Sequence, residues 1–364
     1  MKIAIFHNYI DNIGGAEYVD LTLAKALDAD IYTTNINPEK IKKMGFTTKN
    51  ITSIGKIPIN APLKQQFAYN KFKKLNLKDK YDFYFIGGDW AMSSAVHNKP
   101  NLWYVYSPIR EIWDLHQYTR KNNVKPLGRP LFDMWVRYHR AMNRRNVKHV
   151  NNIVSISNNV RNRVRKYLER DSKVIYPPTD TSKYHYKTNG DYWLSVNRLI
   201  SHKRIEMQMK AFAKLPDERL IVVGSYEQAR HFRKYKDYIE SIKPKNVTIL
   251  HWVSSEKLTE LYANCKGFIT TSLEEDYGMA PVEAMASGKP VIAPNEGGYK
   301  ETVLDNVTGK LIDNINPDKL ADSIKNISKN PKEYKKECIT HAGGFDTKVF
   351  IKKMKEEIYQ NGAD

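Results

Sequence analysis

The chain has 364 residues, a length at which one hydrophobic core usually divides into two, and its 41% apolar and 27% charged residues suit a folded globular protein. Two cysteines, Cys265 and Cys338, exclude a disulfide framework and a CxxC-type metal site, and no run approaches the roughly 20 apolar residues of a membrane-spanning helix. Against 40 acidic side chains stand 59 Lys and Arg, and the resulting +19 favours polyanionic partners.

The opening residues, 2–7, form a short apolar strand without the h-region and cleavage site of a signal peptide, so a reducing, cytoplasmic setting is expected. Gly14 and Gly15 then punctuate the chain, and Ala16, Val19, Leu23 and Leu27 recur at helical spacing. Further strands are predicted at 30–34, 83–86, 102–106, 153–156 and 173–176, alternating with helices in the rhythm of a parallel sheet. Tyr176, Pro177, Pro178, Thr179 and Asp180 form a stiff break. After it the alternation restarts, with strands at 192–196, 219–224, 247–250, 267–271 and 290–293 and an amphipathic terminal helix at 347–359. The class is α/β, with an amino-terminal domain over 1–178, a second over 179–344, and a terminal helical segment from about 345 to 364.

Three junctions in the second half carry the chemistry. Glu275, Asp276, Tyr277, Gly278 and Met279 lie between a strand and a helix running to about Ser287, where a parallel sheet places its ligand crevice. Gly278 admits a close backbone, and the following amides and helix dipole suit a diphosphate. Glu283 sits about a turn inside that helix, so Glu275 and Glu283 can flank one ligand, and a carboxylate suits a ribose or sugar diol. A second junction repeats the pattern with Glu296, Gly297, Gly298 and Glu301. A third, after strand 192–196, offers Arg198 and Lys203 to a leaving phosphate whose charge grows as a glycosidic bond breaks, while Arg204 reads as a solvated surface cation.

These residues resemble a known family. Asn197, Arg198 and Leu199 with Lys203, the run from Glu275 to Val291 with Glu275 and Glu283 separated by seven residues, and Gly297, Gly298 and Glu301 look like family 4 retaining glycosyltransferases. Gly14, Gly15, Ala16 and Glu17 are similar to that family's glycine loop, and residues 155–161 to its segment before the linker. The resemblance implies the GT-B fold: two Rossmann-like domains facing each other across a cleft, with the carboxy-terminal helix crossing back to the first. It implies that Glu275 faces the donor sugar, Glu283 binds the ribose, Arg198 and Lys203 hold the diphosphate, backbone at Gly278 and Met279 assists, and Val253 lies near the base. It implies a nucleotide-sugar donor, GDP- or UDP-linked with mannose the first guess, and neither metal nor cofactor. The acceptor would be a glycan or a lipid-phosphate-linked carrier of surface polysaccharide or glycoconjugate assembly.

The match departs at residues 104–114, which look like a subgroup motif but place Tyr106 where a histidine is expected; Tyr106 and the following Arg110 are acceptor-side candidates. A Tyr hydroxyl can still donate a hydrogen bond there. His7, His97 and His116 are given no role. Between Arg137 and Arg170 stand ten basic residues and one acid, Glu169, which reads as a cationic face. Residues 137–148, with Trp135, Tyr138, Met142 and Val147, could lie on an anionic membrane. Two other functions remain open: a non-catalytic nucleotide-sugar sensor, and a nucleic-acid binder, for which net charge speaks but no recognition motif does.

Overall fold

A computed structural model describes residues 1–58, 63–226 and 230–362. Short apolar runs with β-branched and aromatic side chains form two wholly parallel sheets, whose central strands are buried on both faces as helical crossovers require. The first contains β1 (Ile3–Phe6), β2 (Asp30–Thr33), β3 (Ile51–Ser53), β4 (Phe83–Ile86), β5 (Asn101–Val105), β6 (Asn152–Ser155) and β7 (Lys173–Val174), in the order β3-β2-β1-β4-β5-β6-β7. The second contains β8 (Tyr192–Val196), β9 (Arg219–Val223), β10 (Val247–Leu250), β11 (Gly267–Ile269), β12 (Val291–Pro294) and β13 (Gly309–Ile312), in the order β10-β9-β8-β11-β12-β13. Strand order reverses between β1 and β4 in one sheet and between β8 and β11 in the other, and such switch points open crevices beyond the strands' carboxyl ends.

Two compact units result, Met1–Pro177 with Phe350–Asp364, and Pro178–Val349. The sequence had suggested divisions after residues 178 and 344; the second lies at Val349 because the helix Thr347–Gly362 begins in one unit and continues in the other. From Phe350 onward the helix packs on the first unit. Phe350 meets the Tyr104 ring edge-on, Met354 and Ile358 are fully buried, and Glu357 accepts Lys173 at 2.7 Å. Each buried apolar side chain is worth roughly 1.5–3 kcal/mol, which fastens the segment there.

Strands β4, β8 and β10 fall where the apolar runs predicted them. Strands β3 and β13 went unpredicted, since both are short edge strands that need few apolar residues. In the second unit Trp193, Leu199, Phe212, Ile269, Ile292 and Leu320 share one core, with the helices Ile205–Phe212 and Pro317–Ser328 packed over the same strands. That rigid sheet fixes the loops at its carboxyl edge.

Candidate functional site

The switch point of the second sheet collects the three junctions singled out in the sequence. After β8 the chain exposes Arg198, turns through the 3-10 segment Ser201–Lys203, and enters the helix Ile205–Phe212. After β11 it runs through buried Thr270, Thr271 and Ser272 to Glu275, and Gly278 starts the helix Met279–Ala286. Gly278, with φ of 95°, is the N-cap and brings no side chain of its own to the first amides of the helix, an arrangement that suits an anion. The Lys203 ammonium meets the Glu275 carboxylate at 2.5 Å, with both side chains largely covered. The structure therefore joins the cation proposed for a phosphate to the carboxylate proposed for a sugar, across 72 positions of sequence.

Arg204 is not the solvated cation its sequence suggested. Held in the left-handed region at φ of 52°, it donates from Nε to the Thr271 carbonyl at 2.6 Å and from Nη2 to the Ser272 carbonyl at 3.0 Å, and pairs with Glu296. Its guanidinium thus links all three junctions, a task that needs the planar fork of Arg. Thr271 returns a hydroxyl hydrogen bond to the Lys203 carbonyl at 2.8 Å, and the Leu273 amide donates to the His202 carbonyl at 2.8 Å. The backbone beneath Lys203 is fixed on both sides.

Glu275 is held equally closely. Its carbonyl accepts the Gly298 amide at 2.7 Å, and its carboxylate receives the Tyr299 hydroxyl at 3.4 Å. Tyr299 is buried and also bonds Thr270 at 2.6 Å; burial, then the charge of Glu275, push its pKa well above the ordinary value, so it remains a neutral donor. Sequence reading missed Tyr299, although its place directly after Gly297 and Gly298 was a usable signal. Glu301 lies in the same short helix, Tyr299–Thr302, and is half-buried.

Glu283 occupies a separate network. It accepts the Tyr262 hydroxyl at 2.8 Å and a hydrogen bond from Tyr184; burial raises its pKa, and the two tyrosines work against that rise. Neither tyrosine was foreseen. Tyr277 is buried with its ring near Phe345, and Val253 lies half-buried in the loop after β10.

In the first unit Gly14 precedes the helix Gly15–Leu27 with extended backbone and no side-chain cap, and Glu17 sits in the first turn, where burial raises its pKa. The Tyr106 hydroxyl is engaged by the Asp20 carboxylate and by the Ala16 carbonyl at 3.1 Å, so it is committed within this unit. Burial and then the charge of Asp20 raise its pKa. Asp20, wholly buried, also holds His7 Nδ1 at 2.6 Å. Arg110 forms a two-pronged pair with Asp114, to which the buried Arg163 contributes at 3.5 Å. His97 is exposed, and His116 lies 3.4 Å from Asp133.

Burial alone would lower the His7 pKa, but the hydrogen bond and charge of Asp20, with the fields of Glu17 and Asp89, raise it above 6.5. A raised folded-state pKa means that this pair stabilises fully below about pH 6.5 and that its contribution fades as pH rises through the higher folded value. Asp20→Asn is therefore expected to destabilise by about 3–5 kcal/mol at pH 6, and by less at pH 9. Urea unfolding of both proteins at the two pH values checks this; an equal loss at both would assign the effect to shape, not charge.

The expected cationic face is only partly present. Arg140 donates to the Ile112 carbonyl at 2.7 Å, Arg144 to Tyr167, Arg161 and Arg165 to Asp171, and Arg170 to the carbonyls of Val147 and Val150. Arg163 is buried against Ser107 and Asp114. Residues 137–147 lie in the helix Arg129–Val147, which Lys148 caps, but Val147 is buried and Trp135 and Met142 are half-buried. Among the described residues no helix is long and apolar enough to cross a membrane, and no His, Cys, Asp and Glu cluster is suited to a metal ion.

Residues 179–342, nearly the whole second unit, match the family model of glycosyl transferases group 1. The chain is 30% identical over 184 residues to an alpha-1,3/1,6-mannosyltransferase, ALG2, of Candida glabrata, covering 38% of this chain and 40% of that relative. It is 28% identical to the O-antigen chain mannosyltransferase RfbU of Salmonella typhimurium, over 66% of this chain and 74% of that one. It thus spans about two fifths of ALG2 and about three quarters of RfbU. The structure of Anabaena Alr3699/HepE in complex with UDP and glucose superimposes with a TM-score of 0.78 at 19% identity, over 99% of both chains. Sucrose-phosphate synthase from Thermosynechococcus elongatus does so with a TM-score of 0.77 at 17% identity. The fold is GT-B, and the second unit resembles glycosyl transferases group 1.

Proposed function

We propose that this chain, a GT-B protein whose second unit matches glycosyl transferases group 1, is a retaining glycosyltransferase that works without a metal ion. It moves a hexose, mannose being the first candidate, from a GDP- or UDP-linked donor to a glycan or a lipid-phosphate-linked acceptor in surface polysaccharide or glycoconjugate assembly. Names among its relatives support mannose, and the UDP-bound structural neighbours support a nucleoside diphosphate donor. The protein would act in the cytoplasm, with peripheral contact to an anionic membrane.

The observation that carries the reading is the Lys203–Glu275 pair at the β8/β11 switch point, clamped by Arg204 and by Gly298. In this proposal the donor diphosphate takes the ammonium of Lys203, the guanidinium of Arg198 and the amides that follow Gly278. Those fixed charges stabilise the leaving phosphate more strongly as its bond to the sugar breaks, which lowers the barrier. Glu275, released from part of its hold on Lys203, receives hydroxyls of the sugar. Glu283 receives the ribose hydroxyls, Val253 borders the base, and Gly14 and Gly15 supply the glycine loop of the first unit. The acceptor hydroxyl attacks from the face the diphosphate leaves, and a phosphate oxygen takes its proton, giving retention. Tyr106 acts on the acceptor side by holding Asp20, and Arg110 by holding Asp114.

A panel of GDP- and UDP-sugars, with and without lipid-linked acceptors and with a chelator present, tests this by release of nucleoside diphosphate. Acceptor-dependent release from one donor, undiminished by chelator, is expected. Tight donor binding without turnover on any acceptor would turn the reading to a sensor, and release that stops with chelator would end metal independence.

A further inference from the structure

The helix Arg129–Val147 buries Val136, His139, Asn143 and Val147 on one side. Its opposite side is unusual for a surface helix. Leu131 is 67% exposed, Met134 63% and Tyr138 55%, and Leu127, in the short turn just before the helix, is 97% exposed. Spacings of three and four residues align Leu131, Met134 and Tyr138 on one face. The same face continues through Arg145 and Lys148, with Arg137 at its edge, all exposed. These three cations have no hydrogen bond or ion pair among the described residues, unlike most of their neighbours in the basic stretch. The only acid in the helix, Asp133, is occupied by Arg120 at 2.9 Å. The face is thus apolar in its first half, cationic in its second and free of carboxylates.

We propose that this face docks the protein on an anionic lipid bilayer, with Leu127, Leu131 and Met134 entering the acyl boundary and Arg137, Arg145 and Lys148 on the headgroups. Separate apolar and cationic halves are what an interfacial helix needs, because side-chain insertion and headgroup attraction then add. Tyr138, between the halves, has the ring and hydroxyl favoured at headgroup depth. Lys121 and Lys125, both exposed before the helix, add cations beside the apolar half. Nucleic acid fits this face less well, because aliphatic Leu and Met offer no stacking platform. A second copy would bring the same cations against one another.

The proposal rests on the transferase reading only in making the acceptor membrane-borne, and the two are tested separately. The full chain is floated with vesicles of phosphatidylcholine alone or mixed with phosphatidylglycerol, while nucleoside diphosphate release is followed in solution. Partition is expected only with phosphatidylglycerol, weakened about tenfold or more by Leu131→Asp with Met134→Asp. Arg145→Glu with Lys148→Glu is expected to weaken it about tenfold as well, with solution release unchanged in both. Leu131→Ser with Met134→Ser provides a milder variant if the aspartates impair folding. Failure of the wild-type chain to bind mixed vesicles overturns the docking face and leaves the transferase reading standing. Binding that survives loss of Leu131 and Met134 would reduce it to surface attraction, also overturning it. A wild-type dimer separated by the same substitutions, without vesicle binding, would assign the face to self-association instead.

Discussion

Glu275→Gln is expected to lower turnover by about 10²–10³-fold while leaving the unfolding midpoint close to that of the unaltered protein, and Lys203→Met is expected to do the same. Both side chains are more than four fifths covered yet sit on loops at the edge of the sheet, so the fold does not depend on their contact. Without a donor the ammonium is neutralised by Glu275. In the proposed reaction a donor diphosphate would compete for it, and the attraction would be strong because little water intervenes. Charge developing on the leaving phosphate strengthens that attraction, so loss of Lys203 falls mainly on kcat. In Glu275→Gln one acceptor oxygen becomes a donor amide and the other loses its charge, so sugar hydroxyls would be held more weakly and the ammonium freed from its resting partner. Because each residue sets the other's position, the double substitution should cost far less than the two single losses combined. Steady-state release of nucleoside diphosphate, measured for both single variants and the double, gives the result. Unaltered kcat/KM in both single variants would remove this pair from the chemistry.

The features visible in the sequence were those encoded locally. Buried central strands such as β4 and β8 are short apolar runs, and the glycine at a strand-to-helix junction reveals a ligand-facing loop before any contact is known. Contacts between distant positions were hidden. Arg204 looked like any surface cation because its partners Thr271 and Glu296 stand 67 and 92 positions away. Asp20 went unnoticed because the side chains it serves, His7 and Tyr106, become its neighbours only when β1 and β5 lie in one sheet. The basic stretch misled for a related reason. Counting charge cannot tell Arg163, buried against Asp114, from Arg145, which faces solvent on the same side as Tyr138. Physical reading of the residues alone offered Lys203 to a phosphate and Glu275 to a sugar or ribose diol, and the resemblance implied which carboxylate faces the sugar, but neither revealed the Arg204 guanidinium that clamps the junctions together.

Gly298→Ala is expected to weaken nucleoside diphosphate binding more than tenfold and to lower turnover by about 10²-fold, the cost of misplacing a reactive group by about 1 Å. Gly298 has φ of −69°, an angle open to any residue, so the requirement is one of space. A Cβ there would lie 2.6 Å from the Cα of Tyr277, 2.7 Å from the carbonyl oxygen of Asp276 and 2.8 Å from the amide nitrogen of Tyr277. All three are backbone atoms, which no rotamer change can withdraw. The loop carrying Glu275 must move instead, and with it the hydrogen bond from the Gly298 amide to the Glu275 carbonyl. Overpacking of this kind typically costs about 1–3 kcal/mol of stability. Gly343→Ala is the matched control: a Cβ there meets nothing within 4 Å, at the end of the helix Lys335–Gly343, so it should be neutral or slightly stabilising. Calorimetric titration with GDP and UDP and thermal melts of both variants separate the two effects. If Gly298→Ala loses stability but keeps its nucleotide affinity and kcat, the close approach at Tyr277 serves the fold alone, and Glu275 is positioned by Lys203 and Tyr299 without it.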